Sequence, residues 1–148
     1  MRLCEWAPER LPMPLLLEAD PCEAAVRRYL ANGRAFVARQ GETVLAACVL
    51  QPKGEGVVEL MNVAVLPERQ GQGIGTELLR YVIDQLAQQG MVRIELGTGT
   101  FGYQLTFYQR LGFRVDSVVK DHFLNNYDEP IFEHGIQHQD MLRLVLLL

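Results

Sequence analysis

The sequence predicts an α/β (α+β) fold with a central mixed, mostly antiparallel sheet flanked by helices. Two observations carry this prediction. Short runs of β-branched and apolar residues are joined by tight turns at 40–43 and 52–56, which is typical of antiparallel hairpins. The strand Val57–Val65 leads through a glycine loop and a helix to the strand Val92–Leu96, and two strands joined in this way should run parallel.

Local signals place the elements of the first half of the chain. Asp20 and Pro21 are typical of an N-cap and a first helical position, and Asn32-Gly33 ends this helix. Asn62 is a poor strand former, which predicts a bulge or a splay of the strand near it. The predicted strands of the whole chain are Arg2–Trp6, Arg34–Arg39, Val44–Gln51, Val57–Val65, Val92–Leu96, Phe113–Val119 and Met141–Leu147.

Two further helices and a long connection complete the second half. Apolar residues recur at helical spacing over Thr76–Gln89, and Gly90 ends that helix. A shorter helix, Tyr103–Leu111, ends at Gly112. Residues 121–140 are polar and rich in turn residues, so we expect a long connection that is functional or mobile.

Size and composition exclude several classes of protein. A chain of 148 residues fits a single domain, 1–148, and its net charge of −4 without a Lys/Arg cluster argues against nucleic-acid binding. The apolar tail from Met141 is too short to span a membrane, and the N-terminus is not typical of a signal peptide. Three scattered cysteines without metal-ligand spacing predict a reduced, cytoplasmic protein.

The stretch Gln70-Gly71-Gln72-Gly73-Ile74-Gly75 predicts an anion site at the start of a helix. Glycines keep Cβ atoms away from a ligand, so several backbone N–H groups can converge on a pyrophosphate at the positive end of the helix. The Rossmann fingerprint fails because its third glycine position is Thr76, and the P-loop fails because 66–80 contains no lysine. The alternative is a glycine turn that binds no ligand.

Two motifs resemble those of the GNAT superfamily of acyl-CoA N-acyltransferases. Gln70, Gly73 and Gly75 match its motif A, Gln/Arg-x-x-Gly-x-Gly/Ala. The run from Phe107 to Phe113, FYQRLGF, is similar to its motif B, (F/L)-Y-x-x-x-G-F. The resemblance is specific over 57–114 and architectural elsewhere, and it implies a sheet whose two parallel central strands splay apart to admit acyl-CoA.

The resemblance also implies a role for individual residues. Tyr108 is similar to the tyrosine that protonates the CoA thiolate, and Glu59 stands where some members carry the base for the amine. Glu59 has an alternative role as a strand residue that faces solvent or pairs with an arginine, and Tyr108 as a core aromatic. The backbone of Val63, Ala64 and Val65 would bind the pantetheine arm and polarise the thioester. The predicted pyrophosphate contacts are Gln70, Gly71, Gln72, Gly73, Gly75 and Thr76.

One part of motif B departs from the family pattern. Members commonly have an asparagine seven residues before the tyrosine and an alanine four before it, whereas this chain has Phe101 and Gln104. The asparagine contact to pantetheine is therefore missing. The run 97–100, Gly-Thr-Gly-Thr, offers backbone N–H groups and hydroxyls as a substitute.

Two features of the 121–140 segment have alternative explanations. Asp128, Glu129 and Glu133, with Tyr127, form either an acceptor pocket for a cationic amine or an acidic, solvated loop. His134 and His138 have a spacing that suits zinc on a helix, but the glycine between them argues against a helix and no third ligand is evident. We therefore predict no metal site.

Together these features predict an acetyl-CoA-dependent N-acetyltransferase that acts by direct transfer in a ternary complex. The expected acceptor is a small or antibiotic-like amine, and a protein amine is the second choice. The alternative is a non-catalytic acyl-CoA-binding module of the same fold, and an ATP- or NAD-binding protein is a third hypothesis. The sequence leaves a monomer and a homodimer equally open.

Overall fold

The computed structural model describes all residues, 1–148, and divides into two compact units: residues 1–92 with Leu148, and residues 93–147. The first unit holds four strands and three α-helices. In chain order these are β1 (Arg2–Trp6), α1 (Met13–Ala19), α2 (Glu23–Ala31), β2 (Arg34–Gln40), β3 (Thr43–Gly54), β4 (Val57–Val65) and α3 (Ile74–Gln88).

The four strands of the first unit pair in sequence order, and every pairing is antiparallel. Strand β3 lies between β2 and β4, and its residues 44–50 are all buried, as expected for a strand covered on both faces. The predicted turn at 52–56 is partly wrong, because pairing with β4 continues to Gly54 and only Glu55 and Gly56 form the turn.

Helices α1 and α2 supply one wall of the core. Their buried side chains Leu15, Leu16, Val26 and Tyr29 pack with buried residues of β2, β3 and β4. Sequence reasoning missed α1 because Pro12 and Pro14 act as breakers inside most helices. Here they lie before the helix and in its first turn, where the missing N–H costs no intrahelical bond.

The start of α2 differs from the prediction. The helix begins at Glu23 with Cys22 as the N-cap residue, so Pro21 precedes it. Asp20 does not cap this helix. Its Oδ1 accepts a hydrogen bond from the backbone N–H of Cys22 at 3.1 Å, which is a local turn contact.

The bulge predicted near Asn62 is confirmed. Val49 pairs with Asn62 and Leu50 pairs with Leu60, so Met61 is the extra residue of β4. The Asn62 side chain is 4% exposed, and its Nδ2 donates to the carbonyl of Leu16 at 3.0 Å and to the Tyr29 hydroxyl at 2.9 Å.

The buried amide of Asn62 explains why a poor strand former stands in β4. Through Leu16 and Tyr29 it ties α1 and α2 to the strand at the bulge. The Tyr29 hydroxyl in turn donates to Asp20 Oδ2 at 3.2 Å. The amide nitrogen of Asn62 is thus satisfied by both helices, whereas its Oδ1 is buried without a hydrogen-bond partner.

The second unit is built around its last strand. Strand β9 pairs antiparallel with both β5 and β6. The elements in chain order are β5 (Arg93–Gly99), α4 (Tyr103–Arg110), β6 (Arg114–Val119), α5 (His122–Asn126), β7 (Phe132–Glu133), β8 (Ile136–Gln137) and β9 (Met141–Leu147).

The long polar connection predicted over 121–140 contains elements that the sequence did not indicate. This segment contains α5 and the hairpin of β7 and β8. His134 and Gly135 form the hairpin turn with φ of 54° and 74°, and positive φ at both central positions is the geometry of a type I′ turn. No helix of the chain has the length and apolar character needed to cross a membrane.

Candidate active site

The glycine loop joins the end of β4 to α3 in the first unit. A short 3-10 turn, Pro67–Arg69, follows β4, and α3 begins at Ile74, two residues before the predicted start at Thr76. Gly71 and Gly73 have φ of 78° and 81°, in the left-handed region that favours glycine. No heavy atom lies within 4 Å of where a Cβ would stand on either residue, so the backbone faces open space.

The first turn of α3 is suited to an anion. Gly73 is its N-cap residue, and no side chain caps the helix. The first amides of a helix have no intrahelical acceptor, and the dipole of a 15-residue helix adds positive potential at the same end. The amides of 74–76 and the open backbone at Gly71 and Gly73 have a geometry suited to a pyrophosphate, and its binding here stays a prediction.

The side chain of Gln70 has a bracing contact. Its Nε2 donates to the carbonyl of Val65 at 3.2 Å, which ties the loop back to the end of β4. Arg69 similarly donates from Nη2 to Gln40 Oε1 at 3.2 Å. The backbone N–H of Gln70 also has a partner, the carbonyl of Pro67 at 3.4 Å, so the ligand contact predicted for Gln70 stays a prediction.

Next to this loop, the backbone N–H and C=O groups of β4 point alternately to the two edges of the strand. The N–H of Leu66 donates to the carbonyl of Leu45 at 2.9 Å, which places that residue pair in the hydrogen-bonded register with β3. Because antiparallel pairs alternate, Ala64 also bonds to β3, whereas Val63 and Val65 direct their N–H and C=O groups to the other edge of β4. Of the three predicted backbone contacts, the geometry favours Val63 and Val65.

Glu59 lies near the start of β4, within the first unit. Its carboxylate is 3.4 Å from Lys53 Nζ, and its side chain is 15% exposed. Four residues separate it from Val63, which is about 13 Å along an extended strand. The ion-pair alternative therefore has a partner in the structure, a lysine instead of the expected arginine.

Tyr108 lies on α4 in the second unit, half-buried. Its ring contacts Phe107 and Phe113 edge to face, with centroids 5.3 and 5.8 Å away. The N–H of Phe113 donates to the carbonyl of Tyr108 at 3.1 Å, and Gly112 makes the turn with φ of 104°. The aromatic and glycine positions of the FYQRLGF motif thus fix the orientation of the tyrosine ring.

The Gly-Thr-Gly-Thr run has a mainly structural environment. Residues 97–99 belong to β5 and pair with β9. Thr98 is 5% exposed, so only Thr100 presents its side chain to solvent. The expected substitute for the missing asparagine is therefore confined to a small part of this run.

The acidic residues of the 121–140 segment do not act as one group. Asp128 and Glu129 are exposed, whereas Glu133 is half-buried and its Oε1 lies 2.9 Å from His138 Nε2. His138 is buried and His134 is exposed in the hairpin turn, so the two imidazoles have different environments. No group of three or more His, Cys, Asp or Glu side chains is arranged to hold a metal ion.

Sequence reasoning missed the pairing of Glu133 with His138. The two residues are five positions apart, and the His-Gly turn that brings them together is a weak hairpin signal compared with Asn-Gly. The sequence would have indicated the pair only if His134-Gly135 had been recognised as a turn in which both residues have positive φ.

Comparison with known proteins identifies the family. The sequence model of the acetyltransferase (GNAT) family matches residues 2–113. YvbK of Bacillus subtilis (strain 168), an uncharacterized N-acetyltransferase, is 41% identical over 133 residues, 89% of this chain and 86% of the relative. An IAA acetyltransferase from Bacillus cereus ATCC 14579 superposes with a TM-score of 0.93 at 39% identity, covering 99% of each chain.

A GNAT family acetyltransferase from Elizabethkingia anophelis, solved with acetyl-CoA bound, superposes with a TM-score of 0.92 at 35% identity, covering 99% of this chain and 97% of that one. The superpositions confirm the predicted fold class, a mixed α/β fold with a mostly antiparallel sheet and flanking helices. With both motifs inside the matched region, this chain belongs to the acetyltransferase (GNAT) family.

Proposed function

We propose that this protein transfers an acetyl group from acetyl-CoA to a primary amine, by direct transfer in a ternary complex. The observation that carries the proposal is the glycine loop, in which Gly71 and Gly73 open the backbone in front of the uncapped start of α3. The E. anophelis acetyltransferase, 35% identical over nearly the whole chain, binds acetyl-CoA. The same cosubstrate is therefore the best candidate here.

The residues of the chain suggest how the reaction is supported. The amides of 71–76 hold the pyrophosphate, and the backbone groups of Val63 and Val65, which point away from β3, bind the pantetheine arm and polarise the thioester carbonyl. Acetyl-CoA supplies the activated acyl group. The amine nitrogen forms a bond to the carbonyl carbon as the carbon-sulfur bond breaks, and Tyr108 donates a proton to the departing thiolate.

The amine must lose one proton for the products to balance. We propose that Glu59 receives it through water, because the carboxylate is only 15% exposed and lies on the strand that carries Val63. Its ion pair with Lys53 supports the competing structural role. The two roles predict different behaviour on substitution.

The acceptor is proposed to be a small or antibiotic-like amine, with a protein amine as the second choice. The net charge of −4 favours a cationic acceptor, and Asp128 and Glu129 present exposed carboxylates in the second unit. We also propose a reducing compartment such as the cytoplasm, since all three cysteines are free. A non-catalytic acyl-CoA-binding protein remains the competing hypothesis and is separated by the first experiment.

The first prediction concerns turnover itself. With acetyl-CoA, CoA thiol release should depend on an added amine from a panel of a polyamine, an aminoglycoside, an aromatic monoamine and a peptide with a free N-terminal alanine. Gly73→Ala should weaken acetyl-CoA binding at least about 10-fold, because a Cβ would face the pyrophosphate. Gly41→Ala is the matched control, a left-handed glycine that also has open space but lies in the turn between β2 and β3. If the protein binds acetyl-CoA but releases no CoA thiol with any amine of the panel, the non-catalytic hypothesis is supported.

The second prediction concerns Tyr108. Tyr108→Phe removes the proton donor and keeps the ring contacts with Phe107 and Phe113, so kcat should fall by about 10²-fold or more. The Kd of acetyl-CoA should change little. Tyr103→Phe, at an exposed tyrosine on the same helix, is the control. An equal loss in Kd and kcat would show that Tyr108 acts in binding.

The third prediction separates the two roles of Glu59. If Glu59 is the base, Glu59→Gln lowers kcat by about 10²-fold or more at neutral pH. Lys53→Gln removes the other half of the ion pair and should leave kcat within about 3-fold of wild type, as expected for a partly exposed pair. Matching losses in both variants, measured by the thiol-release assay, would assign Glu59 to the ion pair alone.

A further inference from the structure

Two polar side chains that pair in the second unit, one buried and one half-buried, have no part in the reaction described above. His138 is 7% exposed, and its Nε2 lies 2.9 Å from Glu133 Oε1. The imidazole stacks on Phe101, with ring centroids 4.2 Å apart and planes within 10° of parallel. Phe123 covers the imidazole from a further direction, with its centroid 5.6 Å away.

The contact orients the imidazole of His138. Its Nε2 faces a carboxylate oxygen of Glu133, which can accept a hydrogen bond from it. Nδ1 is buried without a hydrogen-bond partner. A buried, unsatisfied polar atom is a cost that most protein interiors avoid, so this pair invites a functional explanation.

The pair packs onto both ends of the turn that leads from β5 into α4. A Cβ on Gly99, the last residue of β5, would lie 2.6 Å from His138 Nδ1. A Cβ on Gly102, the N-cap residue of α4, would lie 2.5 and 2.7 Å from the two carboxylate oxygens of Glu133. Only glycine at these positions admits the pair so closely.

Helix α4 depends on such contacts more than most helices do. None of its eight residues is fully buried, and only Leu105, Phe107 and Tyr108 are half-buried, so its packing is lighter than that of a core helix. The Glu133 carboxylate lies against its N-terminal end, where a negative charge is favourable. Tyr108 is six residues beyond Gly102, which is about 9 Å along the same helix.

We propose that Glu133 and His138 are positioning residues that hold the β5–α4 turn and, through the rigid helix, set the position of Tyr108. The proposal rests on the proposed function, because it assumes that Tyr108 protonates the CoA thiolate. The neighbouring titratable group is His134, whose Nε2 is 3.8 Å from Glu133 Oε2 and whose side chain is 73% exposed. Its exposure makes it a control and not a member of the pair.

A double-mutant cycle tests the proposal. The readouts are kcat for CoA thiol release, with the amine that reacts fastest in the panel, and the Kd of acetyl-CoA by calorimetry. Glu133→Ala should lower kcat by about 10- to 100-fold, since misplacement of a reacting group by 1 Å has this effect, and should leave Kd within about 2-fold. In the Tyr108→Phe background, Glu133→Ala should lower kcat by less than about 2-fold, because its effect passes through the absent hydroxyl.

Conservative variants supply the rescue and the control. Glu133→Gln keeps an oxygen that accepts from His138 Nε2, so kcat should stay within about 3-fold of wild type. His134→Asn removes the exposed imidazole and creates an Asn-Gly turn, the preferred type I′ sequence, so it should have no effect on kcat. A loss in Glu133→Gln as large as that in Glu133→Ala would contradict the positioning role.

A second variant and a second measurement cover the case in which Glu133→Ala fails to fold. Gly99→Ala displaces the His138 ring although neither polar side chain is removed, so it should give the same loss and the same dependence on Tyr108. Hydrogen exchange gives a readout that needs no activity. In either variant the amides of α4 should exchange faster, and those of 71–76 should be unchanged.

The outcomes distinguish this inference from the proposed function. Absence of amine-dependent thiol release, or a Tyr108→Phe variant with normal kcat, overturns the function and the inference together. A slow Tyr108→Phe variant in which Glu133→Ala lowers kcat by its full factor overturns the inference alone. Unchanged exchange of α4 in both Glu133→Ala and Gly99→Ala also overturns it.

Discussion

Strand β4 can give its backbone hydrogen bonds to β3 only at every second residue, and the candidate site of the first unit depends on this constraint. Ala64 is bonded to β3, so Val63 and Val65 keep their backbone groups for the other edge of the strand. The register that decides this alternation is fixed just upstream. There the bulge at Met61 changes the pairing, and Asn62 ties the strand to α1 and α2.

The glycine loop extends this set of backbone groups from the end of β4 to the start of α3. Gln70 braces the loop against the carbonyl of Val65, and Gly73 turns the chain into α3 in a conformation that other residues adopt at a cost. As a result, the candidate ligand contacts from the end of β4 to the first turn of α3 are backbone groups and need no particular side chain. In the proposed mechanism the catalytic step depends on a few side chains, and one of these, Tyr108, stands on a helix with no fully buried residue.

Much of the fold was predictable because its signals are local. Strands β1, β4 and β9 have the predicted bounds, and the bulge follows from a single residue, Asn62, whose side chain is unsuited to a strand. Helix α1 was missed because the prolines beside it are breakers in most contexts, and only their place before and inside the first turn makes them harmless. Hairpin β7–β8 was missed because its turn begins with His134 instead of the Asn, Asp or Gly that is typical of type I′ turns.

Of the candidate site, the sequence predicted what depends on backbone conformation and missed what depends on side-chain partners. Glycine at 71 and 73 indicates left-handed backbone directly, and the structure has it. The partners of Glu59, Gln70 and Glu133 come from tertiary packing and have no local signature. For the same reason the buried imidazole of His138 was indistinguishable in sequence from the exposed one of His134.

The central claim is that main-chain N–H groups from β4 to the first turn of α3 form the acetyl-CoA site. Hydrogen exchange of individual amides, measured with and without acetyl-CoA, tests it most directly. The acetyl-CoA concentration should be far above its Kd, as judged from the shift of the thermal unfolding midpoint. We expect the amides of 71–76 and of Val63 and Val65 to exchange more slowly with acetyl-CoA or CoA and to be unaffected by NAD. Unchanged exchange at these amides with bound acetyl-CoA would contradict the claim, and protection by NAD alone would identify a different ligand.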